Sequence, residues 1–191
     1  MDEPISQFIE WLALAEECGE KEPTAMSLAT VGANHKPSLR TVLLKGIDDR
    51  GFVFYTNEQS RKGRELLQNQ AVALCFYWTL LDKQVRVEGS VTKVSAEEAD
   101  IYFATRLRFS QIGAWASQQS AILPNPMELR RRLAEFEEKY SEQEVPRPPF
   151  WVGYRVVPEA IEFWSKGDFR LHDRQLFFRK GGGWESKSLY P

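Results

Sequence analysis

The apolar positions along the chain follow two periods. Between residues 4 and 18, Ile5, Phe8, Ile9 and Leu12 recur at helical spacing with Gly19 available as a stop, which predicts an amphipathic N-terminal helix. From residue 24 the pattern changes. "TAMSLATV", "PSLRTVLLKG", "GFVFYTN", "AVALCFYW" and "KQVRVEGSVTKV" are β-branched or aromatic runs broken by the turn-like "GANHK" and "DDRG", and they read as an antiparallel meander. The helical period returns in "SAEEADIYFATR", where Ser95 and Glu98 have capping-box spacing, and in "PMELRRRLAEFEEKY", where Leu129, Leu133, Phe136 and Tyr140 share a face. "VPRPP" at 145–149 reads as a stiff connector, because the residues after it have the composition of strands. The predicted class is mainly β with peripheral helices (α+β), and the absence of strict βαβ alternation disfavours a doubly wound sheet.

Composition adds limits rather than detail. A chain of 191 residues with 42% apolar content suits one domain, 1–191, with a single core. A net charge of −2 gives no basic excess of the kind that nucleic acid or a membrane surface would select, so any anion site is local. Cys18 and Cys75 have no metal-type or redox-type spacing, and Cys75 inside "AVALCFYW" reads as a buried, inert thiol. The start "MDEPISQFIEW" shows no signal pattern and no apolar run reaches membrane-spanning length, so the expectation is a soluble cytoplasmic protein.

The sequence has no dinucleotide fingerprint, Walker loop, zinc-protease helix or nucleophile elbow, and its two histidines, His35 and His172, lie far apart, so no metal is expected. It does have donor clusters near element ends. In "NEQSRKGRELLQN", Ser60 is placed to cap a short helix whose first turn carries Arg61 and Lys62, with Arg64 just beyond. Two cations there oppose the helix dipole unless an anion offsets them, so a phosphate site and a solvated basic turn both fit. Tyr102 and Arg106 stand at i and i+4, with Ser110 just past the expected helix end. They form either a phosphate cradle or a core tyrosine covered by an arginine stem. Arg40 and Lys45 bracket an apolar strand. In "RLHDR", 170–174, a strand would place Arg170, His172 and Arg174 on one face and Leu171 and Asp173 on the other.

The stretches "SLRTVLLKG", "GFVFYTNEQSRKGREL", "QVRVEGSV", "YFATRLRFSQIGAWASQQS", "VPRPPFWVGYRV" and "IEFWSKGDFRLHDR" resemble the pyridoxamine/pyridoxine 5′-phosphate oxidase family in order and spacing over nearly the whole chain. The resemblance implies an FMN-binding split β-barrel that forms a homodimer with FMN at the subunit interface. The C-terminal region from about 145 to 191 would serve dimerisation and substrate binding. It also implies oxidation of pyridoxamine or pyridoxine 5′-phosphate to pyridoxal 5′-phosphate, with O₂ as acceptor and H₂O₂ released. By the same resemblance, FMN would be held by Arg40, Thr41, Val42, Leu43, Leu44 and Lys45, by Tyr55 and Thr56, by Arg61 and Lys62, and by Gln84, Gln119, Ser120, Trp164 and Arg174. Substrate would be held by Lys45, Tyr102, Arg106 and Ser110 at its phosphate and by Arg170, Leu171 and His172 over its ring, with Arg170 and His172 as the catalytic pair.

The chain departs from the family pattern at Leu107, where a proline is usual, at Val152, where a glycine is usual, and at Ser188 in the "SLYP" ending, where an arginine is usual. A related split-barrel flavin oxidase with another substrate would not need Tyr102, Arg106, Ser110, Arg170 and His172 together. A non-catalytic carrier of FMN or a vitamin B6 phosphate would need no productive stacking of one ring on the other.

Overall fold

The computed structural model describes residues 3–191. Helix α1 spans Glu3–Glu17 and buries Ile5 and Phe8, and the chain turns off at Gly19 with φ +81, a left-handed conformation that disfavours a side chain. Strands β1 (Ala25–Val31), β2 (Pro37–Leu43), β3 (Gly46–Asp48) and β4 (Gly51–Asn57) follow, then helix α2 (Arg61–Gln68) and strands β5 (Ala71–Trp78) and β6 (Lys83–Lys93). Helices α3 (Ala96–Ala104), α4 (Arg108–Ala116) and α5 (Pro126–Lys139) form a peripheral layer, and strands β7 (Trp151–Ser165), β8 (Asp173–Lys180) and β9 (Gly183–Ser188) complete the chain. The mainly β class with peripheral helices is as expected.

All nine strands among the described residues join one antiparallel sheet, curled into a half-barrel, but not as the expected meander. The order is β2-β1-β5-β6-β7-β4-β3, so β4 skips its sequence neighbour β5 and pairs with β7. The reason is the length of β7. Its 15 residues pair with β6 along one edge, while the other edge is shared between β4, up to Val156, and β8, from Ala160. At the changeover stands Pro158, which has no N–H to leave unpaired, opposite a bulge at Glu88/Gly89. The crowding there excludes side chains: a Cβ on Gly51 would lie 1.9 Å from the Val156 carbonyl oxygen, and one on Gly89 would lie 2.1 Å from that of Val157.

Two apolar clusters result. Alternation along β1, β5 and β6 turns Met26, Leu28, Leu74, Phe76, Val85 and Val87 inward, where Phe8 of α1 meets Phe52 and Phe76 edge-on at 4.9 and 4.8 Å. The second cluster lies beneath α3–α5 around Phe103, Ile112, Tyr140, Val145 and Trp151. Of the face expected on α5, Tyr140 is buried and Leu133 and Phe136 pack partly against this cluster, whereas Leu129 is exposed.

Several expectations need correction. "RLHDR" is not a strand: Asp168–Arg170 forms one 3₁₀ turn, Phe169 and Arg170 have φ of 54 and 66, and β8 begins only at Asp173. A Cβ on Gly167 would meet the Leu171 carbonyl oxygen at 2.0 Å, so the chain folds back on itself here instead of extending. Helix α4 was not foreseen, and Ser110 sits in its first turn rather than past a helix end. Cys75 is only half-buried because it lies on the β5 face opposite Leu74 and Phe76. Ser95 does cap α3, accepting from the Glu98 amide at 3.0 Å, but the Glu98 carboxylate accepts from Arg155.

That last contact fixes the helical layer to the sheet. The buried Arg155 on β7 donates to Asp48 of β3 at 2.7 Å and to Glu98 of α3 at 2.8 Å. Arg155→Ala leaves the half-buried Glu98 without its cation and Asp48 with only the exposed Arg50, and is expected to lower the unfolding free energy by about 1–3 kcal/mol, read as a shift of the urea midpoint.

Candidate active site

Between strands β2 and β4, which stand toward opposite ends of the curled sheet, and the helices α3 and α4 lies a cleft of about 960 Å³. Three local features build its basic end. Ser60 caps α2 as expected, its hydroxyl accepting from the Gly63 amide at 3.2 Å. Gly63 lets the first turn of α2 lie against the preceding loop, since a Cβ there would be 2.2 Å from the Glu58 carbonyl oxygen. This approach buries Lys62, whose ammonium donates to Thr56 Oγ1 at 3.0 Å, Gln119 Oε1 at 3.1 Å and Ser60 Oγ at 3.4 Å. All three partners are neutral oxygens. Burial, reinforced by the Arg40 charge, lowers the Lys62 pKa to about 8.

Arg40 and Arg61 line the same end and meet on one carboxylate that the sequence did not mark. Glu65 of α2 accepts from Arg61 Nε at 2.9 Å and from Arg40 Nη2 at 3.2 Å, and also from the hydroxyls of Thr30 and Ser38 at 2.5 and 2.6 Å. Burial pushes its pKa up, but the hydrogen bonds from Ser38, Thr30 and Arg61 and the charge of Arg40 outweigh it and hold the value at about 2. The i,i+4 spacing of Arg61 and Glu65 was the only sequence signal for this residue.

At the helical wall, Tyr102 stacks on Tyr55 with ring centroids 4.2 Å apart, and Tyr55 in turn stacks on Trp151 at 5.0 Å. Arg106 lies over the Trp151 ring, its Cζ 5.0 Å from the centroid, and its Nη1 is buried without a hydrogen-bond partner. Burial lowers its pKa, with Tyr102 acting against that shift. A buried guanidinium nitrogen left free beside a cleft is a vacant anion donor. Ser110 and the exposed Lys45 line the same space. Leu107 has φ −54, a value a proline would also adopt, so the departure there leaves the backbone path unchanged.

Of the remaining expected residues, Thr41, Val42, Leu43 and Ser120 line the cleft, Ser120 with φ 70. Leu44 turns its side chain into the core. Trp151 and Phe109 also line the cleft and had not been singled out; both lie within quoted motif stretches but carry no polar atom that marks an anion site.

A second group of expected residues lies outside this cleft. Gln84 and Trp164 face each other across β6 and β7, and Arg174 pairs with Trp164 from β8. His172 packs against Trp164 with centroids 4.7 Å apart, and its Nδ1 accepts from the Gly167 amide at 3.3 Å. Arg174 donates from Nε to Glu162 at 2.8 Å and from Nη1 to the Tyr190 carbonyl at 3.0 Å, which holds the "SLYP" ending against β8. His172, Asp173 and Arg174 border one smaller groove, so Asp173 is not segregated from the other two as the strand reading required. Arg170 and Leu171 are exposed. Among the described residues, no group of three or more His, Cys, Asp or Glu side chains is placed to hold a metal. No helix among them is long and apolar enough to cross a membrane.

Comparison with known proteins identifies the family and the fold. Residues 14–140 match the family model described as pyridoxamine 5′-phosphate oxidase, and residues 151–191 match the one described as the pyridoxine 5′-phosphate oxidase C-terminal dimerisation region. The chain is 54% identical to a pyridoxine/pyridoxamine 5′-phosphate oxidase of Myxococcus xanthus strain DK1622, covering 99% of this chain and 92% of that protein. It is 56% identical to one of Rubrobacter xylanophilus, covering 99% and 87%. Among solved structures, PhzG from Burkholderia lata 383, in complex with tetrahydrophenazine-1-carboxylic acid, superposes with a TM-score of 0.95 at 34% identity, covering 100% of this chain and 94% of that one. An FMN-binding protein of Nostoc punctiforme shares the fold, with a TM-score of 0.77 at 17% identity over 95% of this chain and 96% of that one.

The lowered pKa of Lys62 has a measurable consequence. Below about pH 8 the ammonium is charged and available to a phosphate monoester; above it, binding must take up a proton. Affinity for such a ligand, measured by calorimetry, is expected to be level between about pH 7, where the monoester is mostly dianionic, and about pH 8, and then to fall by up to about tenfold per pH unit. Lys62→Arg should remove this alkaline fall.

Proposed function

The chain belongs to the pyridoxamine 5′-phosphate oxidase family, and on that premise we propose that this cleft is where it oxidises pyridoxamine or pyridoxine 5′-phosphate to pyridoxal 5′-phosphate. The protein is an FMN-dependent oxidoreductase and a homodimer. The observation that carries the site assignment is the pair of desolvated cations, Lys62 and Arg106, on different walls of one cleft, neither hydrogen-bonded to a carboxylate. Two phosphates need two such cradles.

The residues present fit FMN. Arg61, Lys62 and Arg40 would hold its phosphate, Thr56, Gln119 and Ser120 would border it, and the β2 backbone from Thr41 would run beside its ring. When bound, FMN supplies the ring that takes hydride from the substrate and passes the electrons to O₂, which leaves as H₂O₂. Arg106, with Tyr102, Ser110 and Lys45, would bind the substrate phosphate, fixing the substrate by a group remote from the reacting carbon. The Tyr102–Tyr55–Trp151 stack holds that wall rigid.

Trp164, Gln84, Arg170, Leu171, His172 and Arg174 stand outside the cleft of their own chain, and we assign them to the cleft of the partner in the homodimer. That assignment rests on the match of residues 151–191 to a dimerisation region. In a neutral His172, Nδ1 accepts from Gly167, so the ring proton sits on Nε2 and the side chain offers a donor to substrate rather than a base. Arg170, exposed on its 3₁₀ turn, would close over the ring. We place the reaction in the cytoplasm, where two free thiols, one of them exposed, stay reduced.

FMN-loaded protein mixed with pyridoxamine 5′-phosphate in air should form pyridoxal phosphate, followed by its absorbance, together with peroxide and ammonia. No turnover would leave the carrier reading. Turnover of a tricyclic carboxylate such as tetrahydrophenazine-1-carboxylic acid in place of the B6 phosphate would favour an oxidase closer to the Burkholderia relative.

Arg106→Ala should raise KM for pyridoxamine 5′-phosphate by about one to two decades and change kcat less, because the phosphate is held alike in ground and transition states. Steady-state kinetics on the FMN-saturated variant checks this.

A further inference from the structure

We propose that Glu65 is a positioning residue for cofactor recognition: it orients Arg40 and Arg61 and trims the cluster's charge to match a phosphate monoester. This rests on the reading that FMN sits with its phosphate at the Arg61–Lys62 end of the cleft. Glu65 itself does not line the cleft, and it acts through the residues that do.

The hydrogen bonds run in one direction. Arg40 Nη1 donates to the Thr30 hydroxyl at 2.6 Å and Arg40 Nη2 donates to the Ser38 hydroxyl, and both hydroxyls donate onward to Glu65 Oε2. The direct Arg40–Glu65 bond closes both relays. Every donor–acceptor choice is thereby fixed by an ionised Glu65, and the Arg40 guanidinium has one orientation in which all of these bonds are made. Oε1 takes Arg61 Nε, which leaves the terminal nitrogens of that guanidinium for a ligand while its side chain remains 63% exposed. Without Glu65, none of these hydrogen bonds would keep Arg61 from extending into water.

Charge points the same way. Arg40, Arg61 and Lys62 with Glu65 leave a net of two positive charges, against about −1.5 to −2 on a phosphate monoester at pH 7. Three uncompensated cations at this end would repel one another in the free protein. Glu65 also ties α2 to β1 and β2, so the spacing between the Lys62 ammonium and the β2 strand depends on it.

The test compares FMN with riboflavin, which differs only in lacking the phosphate, by titrating apoprotein and following flavin fluorescence, with thermal melting of each apoprotein alongside. Wild type should prefer FMN by at least about a hundredfold, and Glu65→Gln should narrow that preference by about tenfold, the scale of a lost charged hydrogen bond, with riboflavin affinity unchanged. Thr30→Val, which removes one relay and keeps the charge, should narrow it by about threefold and decides the matter if Glu65→Gln does not fold. An unchanged FMN-to-riboflavin ratio in a folded variant overturns the proposal, as does tighter FMN binding, which would mean that Glu65 only repels the phosphate. Equal loss of both flavins would mean a purely structural role and overturns it too. If wild type itself shows no preference for FMN, the phosphate reading of the cleft fails first, and that outcome is distinct from all the others.

Discussion

Two cations without carboxylates of their own, the buried Lys62 and the half-buried Arg106, are the constraint around which the cleft is organised. Taking a charge out of water costs several kcal/mol unless partners replace the lost solvation. Lys62 has three neutral oxygens, and Arg106 has aromatic faces on one side and an unpartnered nitrogen on the other. Neither arrangement is what a sequence selected for stability alone would keep. On the proposed reading both would become favourable once an anion occupied the cleft, so ligand binding and local stability would be the same free energy viewed from two sides. The rest of the molecule has to hold these side chains in place while that compensation is missing.

The sheet does this through β7. Because one long strand serves β4 with its first half and β8 with its second, the wall carrying Tyr55 and Thr56 and the pair Trp164 and Arg174 hang on a single rigid element. The Gly51, Gly89 and Pro158 crossing is what allows the change of partner without an unpaired N–H in the middle of the sheet. Arg155, on the same strand, reaches α3 through Glu98 and so fixes the helix that leads to Arg106. The cleft walls are therefore connected through the sheet, not through loops.

Much of this was legible in the sequence where a local rule was enough. Ser60 and Ser95 as caps depend only on neighbours a few residues away, and both appear as read, whereas α3 ends at Ala104 and leaves Arg106 beyond the helix that was to carry it with Tyr102. Topology was not legible, since nothing in the β4 sequence says that its partner lies nearly a hundred positions later in β7. "RLHDR" misled because composition suggested a strand, whereas the close approach of Gly167 to the Leu171 carbonyl turns the chain back. Glu65 was missed for a related reason: its partners Thr30, Ser38 and Arg40 are distant in sequence, and a carboxylate among cations reads as a surface ion pair until burial is known.

The separation of the expected site into two groups then carries a physical meaning of its own. One chain presents in its cleft the cations proposed to bind phosphate and, elsewhere, the aromatic and imidazole groups proposed to meet the reacting rings. On the proposed reading a lone subunit could hold an anion but could not enclose a flavin, because Trp164 and His172 would be missing from its cleft. Assembly would then supply the groups that exclude water from the reacting atoms, and cofactor binding would in turn favour assembly, by the reciprocity that links any two equilibria sharing a species. Arg174 is suited to that joint role: two of its nitrogens are fixed by Glu162 and the Tyr190 carbonyl, so its direction is set within its own chain before a partner arrives. A guanidinium fixed in advance loses little side-chain entropy on meeting its ligand, and that pre-organisation lets a residue contributed across an interface act with the accuracy of one in the same chain.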